Sequence, residues 1–347
     1  MSVVSLALDA ALAVLLLGLA IRVLTTRDLF EAILLFVAFG LTLSLVWVRL
    51  GATDIALAEA ALGAGVTGAL FLNSFRSLLR MPGGAGGAGE NDPGVDGPGW
   101  PRMLQALLAG GIAVGLGRLL LDRAPRDPLI PRLVDAHLGE SGASNPVTSV
   151  LLNFRAYDTL LEVTVLAVAL VAVWSLERGH RPFARRVGQE DAQPIAGALV
   201  RLVVPLPVLT AAYLVWSGSH APGGAFQAAA LLAGAGVLLT VTRFLRPFSA
   251  ASPVTRAVLA AGLYAFVAVG WGVMPLTGAL LHYPDGWAHP LMVGLEAILT
   301  VSIAVVLLEL FVDVPAIPSP DRLLDGVDPT GDPLGRAASR HVEGATR

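Results

Sequence analysis

DIALAEAALGAGVTGALFL, residues Asp54 to Leu72, is apolar or small almost throughout, yet it carries a carboxylate, Glu59, more than one turn inside the run. A helix crossing the hydrocarbon core needs about 20 mostly apolar residues, and this stretch supplies them. The same reading extends along the 347-residue chain, which is 55% hydrophobic and 14% charged, with a mean hydropathy of +0.73. Ordinary soluble domains do not have that composition. The fold class is all-α, a polytopic membrane protein of about nine transmembrane helices. They are expected near 3–24, 29–48, 54–79, 101–121, 147–176, 194–216, 223–244, 253–281 and 290–311. The first apolar run has no small-residue cleavage site after it and reads as a retained helix.

Between the third and fourth runs, MPGGAGGAGENDPGVDGPGW (81–100) is too rich in glycine, proline and polar residues to fold and reads as a flexible linker. Residues 314–347 form a polar tail of the kind that stays disordered. Cysteine is absent, which removes disulfides, thiolate metal sites and cysteine nucleophiles. Every one of the 23 basic residues is arginine, so a proton relay has only carboxylates and histidines to use. A net charge of −3 gives no sign of a nucleic-acid partner. The arginines set the expected orientation, because cytoplasmic loops keep an excess of positive charge. Arg22, Arg76, Arg80, Arg178, Arg181, Arg185, Arg186, Arg243 and Arg246 share one side when the N-terminus lies outside and the C-terminus is cytoplasmic.

Ionisable groups inside membrane helices are costly and mark candidate function. Asp54 opens its helix, where it can cap the first amides or begin an ion path. Glu59 lies deeper, among Ala58, Ala60, Ala61, Gly63, Ala64 and Gly65, whose small side chains admit a neighbouring backbone. It is either a proton- or cation-handling group or a buried, hydrogen-bonded acid. In NPVTSVLLNFRAYDTLLEVTVLAVAL (145–170), Asp158 and Glu162 are one turn apart and share a face. Arg155 stands one turn before Asp158, as a counter-ion within the path or as half of an interfacial pair. Arg201 is either a counter-ion to a carboxylate on another helix or an interfacial arginine, and the following Pro205 and Pro207 disturb that helix. Glu296, about 10 Å into the last run by helical rise, is a further candidate. His282, Asp285 and His289 have no metal-ligand spacing and read as a wet loop. GSHAPGGAFQAAALLAGAG (218–236) reads as a tight turn at Pro222, Gly223 and Gly224, after which Phe226 enters a small-residue helix. His220 sits at the interface there, where it can hydrogen-bond or titrate near neutrality. No phosphate loop, nucleophile elbow or catalytic constellation is present, so transport is favoured over enzymology and no cofactor is expected.

These motifs resemble a known set. DIALAEAALGAGVTGALFL is similar to the MbhD-type module and NFRAYDTLLEVTVLAVAL to the MbhE-type module, both parts of the large first component of Mrp-type sodium/proton antiporters. GSHAPGGAFQAAALLAGAG resembles the MrpB signature through His220, Pro222, Gly223, Gly224 and Phe226. The resemblance implies a three-helix module over 1–80, a two-helix module over 101–190 and a four-helix module over 191–313. It implies membership of a multi-subunit complex exchanging Na+ or another monovalent cation for H+ across the cell membrane, with the other proteins of the complex as partners. Glu59 and Glu162 fall on the acidic positions of the family motifs. The chain departs from the family at Ala225, Ala228, Ala229, Ala156, Leu161 and Asn153. The same modules occur in membrane-bound hydrogenases and related complex I-like redox complexes, and a scaffold without conduction is a third reading.

Overall fold

The computed structural model describes residues 3–79, 100–121, 129–176, 194–245, 252–284 and 286–312. The expected linker and tail, and Asp285, lie outside them. Among the described residues the structure is helical and has no strand. We number the helices α1 (Val3–Thr25), α2 (Leu29–Arg49), α3 (Thr53–Ala58), α4 (Thr67–Leu79), α5 (Trp100–Leu121), α6 (Leu129–His137), α7 (Pro146–Ser149), α8 (Ala156–Leu176), α9 (Pro194–Val203), α10 (Pro205–Ser217), α11 (Ala225–Val241), α12 (Pro253–Thr277) and α13 (Ala288–Val312). Their ends follow local chemistry. The Asp28 carboxylate accepts from the Phe30 and Glu31 amides to start α2, Asn145 and Ser252 cap α7 and α12 ahead of a proline, and Gly278 ends α12 in the left-handed region.

Seven described helical segments are long and apolar enough to cross a membrane. Two shorter apolar stretches, Met103–Leu119 in α5 and Ala225–Val241, fill the other expected positions. Contacts at its ends place Ala225–Val241 between the two faces of the bundle. At one face of the bundle the Gly223 amide donates to Asp54, the Ser144 and Asn145 amides donate to the Ser219 carbonyl, and His289 meets the Gly142 carbonyl. At the opposite face Asn73 donates to the Phe311 carbonyl, and Leu70 and Leu245 pack with Leu308. Helix α11 therefore runs from one face to the other.

The core is organised around α13, which buries Met292, Leu295, Leu299 and Ile303 almost completely. Helix α11 meets it through Ala225, Ala229, Ala233 and Gly236, and α12 through Gly262. Small residues are required there because helices in lipid associate by close packing, not by hydrophobic exclusion. Ser302 donates to the Leu259 carbonyl at 2.8 Å, and a Cβ on Gly262 would stand 2.9 Å from the Ser302 Cβ. Gly262→Ala is therefore expected to destabilise the α12–α13 contact by about 1–3 kcal/mol, the usual cost of overpacking. A lower melting temperature of the purified chain in detergent would report it. By contrast, α1 buries none of its residues and α5 is exposed over most of its length. Two ion pairs hold α1 to α2, Arg49 with Asp9 at 2.8 Å at one end and Arg22 with Glu31 at the other.

Two expected helices depart from regular α geometry. The 54–79 run contains a π-helical stretch, Glu59–Val66, between α3 and α4. The Thr67 hydroxyl donates to the Leu62 carbonyl five residues back, at 2.8 Å, and so supports the widened turn. The 147–176 run contains a second, Val150–Phe154, and breaks at Arg155, whose amide reaches back to Val150. Thr159 spans that break by donating to the Leu151 carbonyl at 2.7 Å. As expected from Pro205 and Pro207, the sixth run divides into α9 and α10 at Val204.

Candidate functional site

The Pro222–Gly224 turn is where three distant segments of the chain meet. The Leu214 carbonyl accepts both the Gly218 and the Gly224 amide at 3.0 Å, folding the segment after α10 back on itself. Gly224 has φ +116°, a conformation that side chains rarely tolerate, and a Cβ on Gly223 would lie 2.6 Å from the Leu214 oxygen. Three sets of side-chain bonds hold this corner. Asp54 accepts from the Gly223 amide at 3.0 Å; Asn145 donates to the Ala221 carbonyl at 3.0 Å; Thr148 donates to the Gly218 carbonyl at 2.5 Å. Asn145 also caps α7, so its loss removes two functions at once. Asn145→Ala should cost about 2 kcal/mol, a cap and a buried hydrogen bond together, and Thr148→Val about half of that. Thermal melting of the two variants against the parent chain checks this order. Ala225 is buried at the start of α11.

Beside the corner lies a cavity of about 870 Å³, lined by Asp54, Arg155, Asp158, Glu162, Gly223, Gly224, Phe226, Gln227 and Glu296 among others. It unites α3, α7, α8, α11 and α13. Of the residues expected to carry function, Asp54, Asp158, Glu162, Glu296 and Arg155 therefore share one space. Arg155 and Asp158 form an ion pair at 2.5 Å, both side chains reachable by solvent. Glu162 lies one turn further along α8 and is also exposed. Glu296 is 3% exposed, and its Oε2 is buried without a hydrogen-bond partner.

Glu59 is not among the cavity-lining residues. Its carboxylate folds over the π-helical backbone toward α2, with Oε1 filling the space a Gly63 Cβ would need and lying 3.3 Å from where a Gly40 Cβ would stand. The structure thus separates Glu59 from Glu162. Arg201 is exposed on α9 and does not line the cavity either. His220 is exposed, stacks edge-on against Trp216 with ring centroids 5.1 Å apart, and meets the Ser219 hydroxyl at 3.2 Å. His282 and His289 are exposed, and no group of three or more His, Cys, Asp or Glu suited to a metal ion occurs among the described residues.

Two polar residues lie outside what the sequence pattern singles out. Gln227 donates from Nε2 to the Asp54 carbonyl at 3.3 Å and lines the cavity. It stands inside the quoted 218–236 stretch, where the glycines draw attention first. Glu309 is fully buried near the end of α13. Its signal is a carboxylate in the otherwise apolar VVLLELFV (305–312).

A bundle of long apolar helices with four carboxylates, one of them buried, around a shared cavity defines a polytopic membrane protein. Comparison with known proteins narrows that class. Residues 14–80 match the family model MbhD (the D subunit of MBH), residues 102–194 match MbhE (the E subunit of MBH), and residues 195–313 match MnhB (domain related to MnhB subunit of Na+/H+ antiporter). The three matched stretches follow one another along the chain in the order MbhD, MbhE and MnhB. It is 24% identical over 149 residues to a probable K(+)/H(+) antiporter A/B subunit from Rhizobium meliloti (strain 1021). That match spans 36% of this chain and 15% of the relative. It also resembles a chain of the Mrp complex from Dietzia sp. DQ12-45-1b, with a TM-score of 0.66 and 23% identity, covering 89% of this chain and 35% of that one. The likeness to the solved structure is one of fold.

Proposed function

We propose that this chain is a multi-pass cell-membrane subunit of an Mrp-like antiporter, exchanging a monovalent cation such as Na+ for H+ together with the other proteins of the complex. The observation that carries the reading is the cavity in which Asp54, Asp158, Glu162 and Glu296, drawn from all three matched domains, converge. Carboxylates there can pass protons or replace part of a cation's water shell. Arg155 holds the charge of Asp158 in check, leaving Glu162 and Glu296 as the exchangeable groups of the cavity. Glu59 lies outside this cavity on the α2 side and would join the route as a separate group. The chain acts in transport and not as an enzyme.

The matched ranges support a division near 1–80, 101–190 and 191–313. We place the N-terminus outside on the arginine distribution, which puts the Gly223–Gly224 corner on the outer side. The test is expression of the chain with its neighbouring subunits in a host lacking its own cation/proton antiporters. Everted vesicles should dissipate a respiration-generated pH gradient when NaCl, LiCl or KCl is added, and vesicles without this chain should not. A gradient unaffected by all three salts overturns the reading. The MBH family names favour a second one, a redox complex, which genes for metal–sulfur proteins beside this one would support.

A further inference from the structure

We propose that Glu296 and Gln227 form the seat of a monovalent cation in the cavity, with Gly224 kept bare to leave room for the ion. The inference deepens the antiporter reading and rests on it for the role of the ion, though not for the site itself.

The geometry comes from three helices. A Cβ on Gly224 would stand 3.2 Å from Glu296 Oε1 and 3.6 Å from Gln227 Oε1, so two oxygens from different helices face one small space over a bare backbone. Gln227 is not free to turn. Its amide nitrogen is engaged by the Asp54 carbonyl, which directs its carbonyl oxygen toward Gly224. Glu296 is almost wholly buried, with Oε2 lacking a partner in a position that lines the cavity. A bare carboxylate in such a place costs several kcal/mol at least, so a positive charge accompanies it, either a proton or a cation. One carboxylate and one neutral amide oxygen neutralise a single positive charge, which fits a monovalent ion stripped of part of its water. The proton and the cation then exclude each other at Glu296, and that competition is what coupled exchange requires.

The other charged groups facing this space are few. Asp54 on α3 is occupied by the Gly223 amide, while Arg155, Asp158 and Glu162 on α8 line the same cavity. Helix α11 contributes no ionisable side chain. On α12, Tyr264 is exposed, and Arg256 lies one turn beyond Leu259, which is opposite Ser302 toward the other face.

The test uses dicyclohexylcarbodiimide, which modifies protonated carboxyls in apolar surroundings, on membranes holding the full chain with its natural partners. Labelling of the peptide carrying Glu296 is read by mass spectrometry in choline chloride, NaCl, LiCl and KCl at constant ionic strength. At least one alkali cation should suppress labelling fivefold or more relative to choline. Gln227→Ala should raise the concentration needed for that protection at least tenfold, and Gln227→Glu should lower it. Glu296 that does not label, labelling indifferent to all three cations, or protection unchanged in both Gln227 variants would each overturn the proposal. Because the readout does not use transport, vesicle exchange that persists while protection is absent discards this site and leaves the antiporter reading standing. Cation protection without exchange in any salt does the reverse.

Discussion

Gly223→Ala is expected to remove most of the properly assembled chain from the membrane. A methyl group there would lie 2.6 Å from the Leu214 carbonyl oxygen and 3.2 Å from the Ser217 hydroxyl. Neither neighbour can retreat cheaply, since the Leu214 oxygen is fixed by the amides of Gly218 and Gly224. Relief requires opening the corner, which breaks the Asp54 bond to Gly223 and strains those from Asn145 and Thr148. Overpacking costs about 1–3 kcal/mol, and the loss of one charge-assisted hydrogen bond about 1.5–3 more. A sum of this size approaches the whole stability of many domains. Gly234→Ala in α11, the helix that follows the corner, is the control, because nothing lies within 4 Å of a Cβ there. The alanine should be neutral or mildly stabilising at that position. Size-exclusion profiles of fluorescently tagged protein, before and after heating, separate the two. Indistinguishable profiles would show that the corner does not hold the modules together.

The corner also illustrates how much a sequence discloses. Proline and paired glycines between two apolar runs announce a tight turn whatever the surroundings, and small residues after them announce close helix packing. The helix positions are legible for a similar reason, because lipid imposes a length on every crossing. Spacing alone likewise discloses the Arg155–Asp158 pair, which closes within one helix turn. The π-helical stretches are not legible. They depend on side chains such as Thr67 reaching a carbonyl five residues back, and on which neighbour the widened turn must accommodate. For Glu59 the depth is legible and the company is not. Its distance into the helix follows from counting, whereas the face it presents depends on how α2 packs against the π stretch, which no periodicity in an all-apolar run encodes. Gln227 gives no signal because its importance comes from the Asp54 carbonyl, far away in sequence.

The second large effect concerns Glu162. Substitution by glutamine is expected to lower cation/proton exchange per assembled complex at least tenfold, equivalent to about 1.4 kcal/mol or more in the limiting step, while the amount of complex stays near that of the parent. Asp158 already has a cation beside it in Arg155, so it is the less mobile charge of the pair. Glu162, one turn on and exposed, stands where an ion would leave water for the cavity. Glutamine keeps the shape and the hydrogen-bonding capacity and removes only the charge and the exchangeable proton. Asp158→Asn should therefore reduce exchange less than Glu162→Gln, and Glu59→Gln tests whether the route continues toward α2. Rates come from vesicle exchange, normalised to complex quantified on native gels. A scaffold would behave differently: the variants would assemble poorly, and the complexes that did form would work at the parental rate. If Glu59→Gln and Glu162→Gln both leave the normalised rate unchanged, neither carboxylate is on the ion route, and each serves helix packing at its own place in the bundle.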